Sequence, residues 1–116
     1  MNNIFIMPIN ISGSNHELSA DYWNSTITLL DEISLKSLSM QNKIKNFELL
    51  IAIHPKTKSD YQKSIISICE KYSIKVHILH SNSHLKLKNK VSLFLKKYKS
   101  HITHKISKET SLLFNY

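Results

Sequence analysis

The chain has 116 residues, of which 41% are apolar and 21% charged. These values suit one small globular domain and exclude a disordered chain or a pair of domains. The longest apolar runs, IFIM and LLIAI, are far shorter than the roughly 18 residues that a membrane-spanning helix needs. The single cysteine, Cys69, excludes an internal disulfide framework, so we expect a packed thiol in the reducing cytosol.

The positive charge is concentrated in the C-terminal part of the chain. The net charge is +8, and all 16 basic residues are lysines. Residues 1–70 carry six lysines against seven acidic residues, whereas residues 71–116 carry ten lysines against Glu109 alone. This concentration of positive charge has three interpretations: contact with nucleic acid, contact with an acidic membrane surface, or a solvated helix face. The absence of arginine disfavours nucleic acid.

Short apolar segments alternate with segments of helical spacing along the chain. We expect a strand at residues 3–9, a loop at 11–20 and a helix at 21–40, with Asp21 as its N-cap. A second strand, Phe47–Ile53, precedes a helix opened by a Ser59–Gln62 capping box. The remaining predicted elements are a strand at 74–79, a helix at 85–99 and a strand at 101–106.

This order predicts one α/β domain spanning residues 1–116. Strands that alternate with helices form parallel pairs through right-handed crossovers. We therefore expect a three-layer, Rossmann-like fold with a mostly parallel four-stranded sheet and three main helices. The first strand is expected to lie between the second and the fourth.

The histidines do not predict a zinc site. His77, His80 and His84 are close in the sequence, but His77 and His80 point to opposite sides of a strand. We also expect no carboxylate near them, and zinc needs three or four converging ligands.

The middle of the chain resembles a known family. Residues 35–53, LKSLSMQNKIKNFELLIAI, are similar to a stretch of GT-A fold glycosyltransferases of the family 2 type, in particular the rhamnosyltransferase branch. The resemblance covers roughly residues 4–113. The matching positions are Ser37, Leu38, Gln41, Pro55, Thr57 and Tyr61.

The resemblance implies that this chain is the half of such an enzyme that binds the nucleotide-sugar donor. The donor would lie at the carboxyl ends of the parallel strands. His54 stands where the family commonly has an aspartate. The donor-binding positions implied are Pro8, Asn10, His54, Lys56, His80 and Asn82.

The family's metal-binding motif is degenerate in this sequence. Its Asp-x-Asp pair, which holds magnesium or manganese against the diphosphate, corresponds to Ser107 and Glu109. Only Glu109 keeps a carboxylate for a metal. Lys105 and Lys108 would contact the diphosphate directly instead.

The resemblance therefore implies a nucleotide-sugar-binding domain of cell-surface polysaccharide or lipopolysaccharide assembly, truncated or degenerate, whose activity as an isolated chain is an open question. The alternatives are a catalytically inactive accessory or remnant protein and a small basic nucleic-acid-binding protein. We expect a cytoplasmic protein with peripheral contact to the acidic inner membrane surface through the lysine-rich helix. An oligomer, or a separate partner supplying the C-terminal half, is also consistent with this assignment.

Overall fold

The computed structural model describes residues 2–40, 47–98 and 101–105. Its strands are β1 (Asn2–Pro8), β2 (Phe47–Ile53), β3 (Lys75–His80) and β4 (His101–Lys105). Its helices are α1 (Ala20–Leu29), α2 (Leu35–Ser39), α3 (Ser59–Lys71) and α4 (His84–Leu95), and a π-helical segment, Leu30–Ser34, joins α1 to α2. The predicted α/β class is confirmed.

The sheet is parallel throughout its described pairs. β1 pairs with β2, and β2 pairs with β3. β4 pairs with β1 on the other side, so the spatial order is β3-β2-β1-β4. The chain therefore steps in one direction from β1 to β3 and then crosses over to the opposite side of β1. The reversal leaves a topological switch point between β1 and β4.

Helices cover both faces of this sheet because β1 and β2 contain consecutive apolar residues whose side chains point alternately to the two faces. On one face, alternate residues of β1 and β2 pack against α1, α2 and α3 around the fully buried Trp23, Leu30 and Ile65. On the other face, Ile4, Ile6 and Leu50 pack against α4. The result is a three-layer arrangement in which α1, α2 and α3 cover one face of the described sheet and α4 covers the other.

The first helix departs from the single regular helix expected at residues 21–40. Its path is continuous, but Leu30–Ser34 is π-helical, and the N–H of Leu35 bonds to the carbonyl of Leu30. Both leucines are fully buried. A step of five residues would turn the second leucine away from the core in a regular α-helix. The wider π turn brings it back to the same face.

Two helix starts differ from the sequence-based expectation. Ser19, not Asp21, is the N-cap of α1, and its side chain accepts a hydrogen bond from the N–H of Tyr22. The predicted Ser59–Gln62 capping box is wrong because Lys58 occupies the N-cap position of α3. The side chain of Gln62 contacts His80 of β3 instead of the helix backbone. The local sequence does not reveal this alternative partner.

α4 is also shorter than the predicted helix at 85–99. Ser83 caps it, accepting a hydrogen bond from the N–H of Lys86, and it ends at Leu95. Among the residues that the structure describes, no helix combines the length and apolar character needed to cross a bilayer.

Candidate functional site

The carboxyl ends of β1, β2 and β3 lie at one edge of the sheet, as parallel pairing requires. α1, α3 and α4 begin on the same side, so their N-terminal N–H groups and positive dipole ends are directed there. The sequence-predicted binding residues that follow these strands are brought to this edge. They are Pro8, Asn10, His54, Lys56, His80 and Asn82.

Asn10 ties two loops of this edge together. It is fully buried. Its Oδ1 accepts a hydrogen bond from the N–H of His54 at 3.0 Å, and its Nδ2 donates to Oγ1 of Thr57 at 2.9 Å. A second, longer bond of Nδ2 reaches the carbonyl of Glu17 at 3.5 Å. These bonds occupy the amide, so Asn10 shapes the edge and does not present a free group to a ligand.

His54 is held in one orientation above a glycine. Its Nδ1 accepts a hydrogen bond from the N–H of Lys56 at 3.1 Å, which places the proton of the neutral ring on Nε2. Gly13 has a φ of 62°, and a Cβ added there would overlap the His54 ring. Both observations explain why the only glycine stands at this position. Nε2–H of the half-buried His54 is a hydrogen-bond donor at the edge.

The end of β3 is fixed by its own polar contacts. Nε2 of His80 lies 3.0 Å from Oε1 of Gln62 on α3, and its carbonyl accepts a hydrogen bond from Lys90 of α4. The buried Ser81 donates from its N–H to the carbonyl of Ile53 at 2.9 Å. Asn82 is exposed. Of the two predicted positions here, Asn82 is open to solvent, and His80 is engaged in binding the two flanking helices.

A cleft of about 650 Å³ opens at the switch point between β1 and β4, on the face that α4 covers. Ile6, Leu87 and Val91 contribute an apolar surface, while Lys88 and Thr103 bring a charge and a hydroxyl. The remaining lining residues are His84, Leu85 and Ser92. The residues proposed from the sequence are not among this described lining. Helical periodicity places Leu87 and Val91 on one face, but it does not show that β4 joins β1 beside them.

The predicted metal and diphosphate residues are only partly within the described structure. Lys105 is the last residue of β4, where its backbone is in register with Ile6. Lys108 and Glu109 lie outside the described residues, so their roles stay predictions. Within the described ranges, no group of three histidine, cysteine or acidic side chains is placed to hold a metal ion.

A second polar cluster lies near the amino end of β2. Glu48 is 9% exposed, and its carboxylate accepts hydrogen bonds from Nε2 of His77 at 2.6 Å and from the hydroxyl of Tyr98 at 2.9 Å. Nζ of Lys75 lies 3.4 Å away. The expectation that no carboxylate lies near His77 is therefore wrong. The two residues are distant in sequence and meet only through the pairing of β2 with β3.

The environment of Glu48 favours its charged form. Burial alone raises the pKa of this carboxyl, but the hydrogen bonds from His77 and Tyr98 and the charge of Lys75 outweigh burial and lower the pKa below its ordinary value. Burial, together with the hydrogen bond to Glu48 and the negative charge of Glu48, raises the pKa of Tyr98 to about 12. The cluster is thus an ionised carboxylate that links β2, β3 and the residues after α4.

No protein-family model, characterised protein or solved structure matches this chain. Two features of its geometry bear on function: the cleft at the switch point, and the polar edge at the carboxyl ends of β1, β2 and β3.

Proposed function

We propose that this chain is a glycosyltransferase-like domain that binds the nucleotide of a nucleotide-sugar in the cleft between β1, β4 and α4. The observation that carries the proposal is the position of the cleft. In open α/β sheets, ligands bind near the carboxyl ends of the strands where the strand order reverses. Here a cleft of about 650 Å³ lies beside that reversal, and its volume is within the range of small-molecule sites.

The lining of the cleft suits a nucleotide. Ile6, Leu87 and Val91 offer apolar contact to a base and the carbon atoms of a ribose, while Ser92 and Thr103 offer hydroxyl groups for hydrogen bonds. Lys88 adds a cation on the N-terminal half of α4. Phosphate groups are favoured close to a helix N-terminus because unpaired N–H groups and the positive end of the dipole are directed at them.

The polar edge at the carboxyl ends of β1, β2 and β3 supplies further hydrogen-bond donors. His54 directs Nε2–H from a ring fixed by Lys56 and Gly13, and Asn82 is exposed just before α4. These groups support binding of a nucleoside diphosphate. The assignment to polysaccharide assembly rests only on the family resemblance, which covers roughly residues 4–113. An inactive accessory protein of the same fold would make the same contacts.

Calorimetric titration with uridine diphosphate, thymidine diphosphate and uridine tests this proposal. We expect both diphosphates to bind and the nucleoside to bind more weakly. Thr103→Trp fills the cleft and should abolish binding, whereas Thr28→Trp, an exposed position on α1, should not. Lys88→Gln should weaken binding about tenfold, as the loss of one hydrogen bond to a charged group does.

The matched control for Lys88→Gln is Lys63→Gln on α3. Lys63 is exposed, and its replacement removes the same charge. Diphosphate affinity that is equal in the Thr103→Trp and wild-type proteins would contradict the proposed location. Absence of diphosphate binding to the folded wild-type protein would contradict the proposed function itself.

A further inference from the structure

The outer face of α4 combines exposed leucines with lysines. Leu85 is 73% exposed and Leu93 is 65% exposed. In chain order, Leu85, Asn89, Leu93 and Lys96 are separated by four, four and three residues. This spacing places all four on one side of the helix. We define these four residues and Lys86 as the outer face of α4. The only other large apolar side chain exposed to this extent among the described residues is Met40.

The charge of this helix has one sign. The sequence from His84 to Tyr98 contains five lysines and no acidic residue. Two of these lysines are engaged with the protein: Lys90 donates to the carbonyl of His80, and Nζ of Lys97 lies 4.1 Å from the centre of the Phe94 ring. Lys86 and Lys96 are exposed beside the two leucines. Charge and apolar surface therefore occur together on the side turned away from the sheet.

We infer that the outer face of α4 binds the surface of a bilayer that contains anionic phospholipids. Leucines at the boundary between headgroups and acyl chains remove apolar surface from water, and lysines are attracted by the negative surface potential. For a helix that lies on a bilayer, the binding strength increases with the apolar area buried and with the attraction to anionic lipids. Leu85 lies at the border of the two surfaces because it also lines the described cleft, whereas Leu93, Lys86 and Lys96 do not line it. Variants of these three residues therefore test the membrane contact apart from the proposed nucleotide site.

A nucleic acid fits this face less well than a bilayer. Single-stranded nucleic acids bind through aromatic side chains that stack on bases, but Phe94 and Tyr98 are half-buried and pack toward Ile4, Ile6 and Leu50 of the sheet. Arginine, the usual reader of guanine in duplex DNA, is absent from the chain. Exposed leucines also have no favourable contact with a phosphate backbone, whereas a bilayer provides an apolar layer for them.

Co-sedimentation of the full chain with vesicles tests the inference. The probes are vesicles of phosphatidylcholine alone and vesicles of phosphatidylcholine mixed with phosphatidylserine. We expect binding to the mixed vesicles only, weakened by added salt. Lys86→Gln/Lys96→Gln should weaken binding about twenty-five-fold, because each lysine near an anionic surface contributes about fivefold. Leu93→Ser should weaken it about tenfold by removing the inserted side chain.

Matched controls separate this face from general effects of charge and hydrophobicity. Lys36→Gln/Lys63→Gln removes two exposed charges from helices on the other side of the sheet, and Met40→Ser removes an exposed apolar side chain there. Both should bind the mixed vesicles like the wild-type protein.

Two outcomes would overturn the inference. One is absence of binding to the mixed vesicles. The other is binding that depends on the lysines but not on Leu93, accompanied by equal affinity for random-sequence DNA. The Leu93→Ser protein should bind uridine diphosphate normally, so that failure of the membrane inference and failure of the nucleotide proposal are distinguishable.

Discussion

Nε2 of His77 lies 2.6 Å from Oε1 of Glu48, joining two neighbouring strands beneath the C-terminal part of α4. Tyr98 donates to the other carboxylate oxygen, and the His77 ring contacts Phe94 with a centroid separation of 4.8 Å. A carboxylate that is 9% exposed is costly to bury unless such partners compensate it. The cluster therefore links the position of α4 to the pairing of β2 with β3.

Replacing this carboxylate should make the stability of the protein less dependent on pH. The pKa of Glu48 is lower in the folded protein than the ordinary value of 4.5. The stabilisation from its charge is therefore present above pH 4.5 and is lost as the pH falls through the lowered pKa. We expect Glu48→Gln to reduce the free energy of unfolding by about 1–2 kcal/mol at neutral pH, and by much less in acid.

Urea unfolding at several pH values measures this difference. Glu70→Gln, at an exposed position of α3, is the matched control and should follow the wild-type curve. A Glu48→Gln deficit of constant size from neutral to acidic pH would show that the carboxylate charge is not the cause.

Asn10 and Asn82 should respond differently to truncation although both stand at the polar edge. Asn10→Ala removes the partner of the His54 N–H and of Thr57 Oγ1, and we expect a loss of about 2–3 kcal/mol from buried groups left unpaired. The exposed Asn82→Ala should change the free energy of unfolding by less than about 0.5 kcal/mol. Thermal and urea unfolding compare the two variants. Equal losses would contradict the structural role of Asn10.

Cys69 should be chemically inert in the native protein. It is fully buried on α3, which agrees with the packed thiol expected from the sequence, and burial together with the charge of Glu70 raises its pKa to about 12. Only the thiolate is a good nucleophile. We expect iodoacetamide to label Cys69 at the rate of global or local unfolding, with fast labelling in urea. Mass spectrometry measures this rate, and rapid native labelling would contradict the described packing.

Trp23 should tolerate phenylalanine far better than alanine. Its ring is fully buried and stacked on Tyr61 with centroids 5.2 Å apart. Its Nε1 has no hydrogen-bond partner in the described part of the chain. Trp23→Phe keeps the aromatic contact and removes an unpaired donor, so we expect a loss of about 1 kcal/mol. Trp23→Ala should cost about 3–5 kcal/mol through the cavity that it leaves. Urea unfolding of the two variants measures these losses. An equal loss of unfolding free energy in both would show that stacking on Tyr61 contributes nothing.

Much of the fold is predictable because its signals are local. Residues 49–53 of β2 are a continuous apolar run, and Ile65 and Ile68 lie on the buried side of α3 as their spacing indicates. The order of these elements then favours a parallel sheet. The π-helical segment is less visible, since two leucines five residues apart disagree with regular helical spacing, and only packing against the core shows how both are buried.

The polar contacts are harder to predict because they join distant parts of the chain. Gln62 has the right spacing for a capping box, yet its side chain contacts His80, which is brought near by β3. The pair Glu48–His77 depends on strand register in the same way. The cleft requires the placement of Thr103 beside Ile6 and α4, a relationship that no motif in the sequence records. Sequence analysis could therefore place residues at the polar edge, but not identify the cleft.

The most direct test of the nucleotide proposal is a methyl-detected NMR titration of the full chain with uridine diphosphate. The proposal predicts saturable shifts of the methyl signals of Ile6, Leu87, Val91 and Thr103, which line the cleft. The methyl signals of Leu30 and Leu38, buried on the other face of the sheet, should stay unchanged. Shifts confined to Leu93 on the outer face of α4, or no saturable shift at all, would contradict nucleotide binding at the switch point.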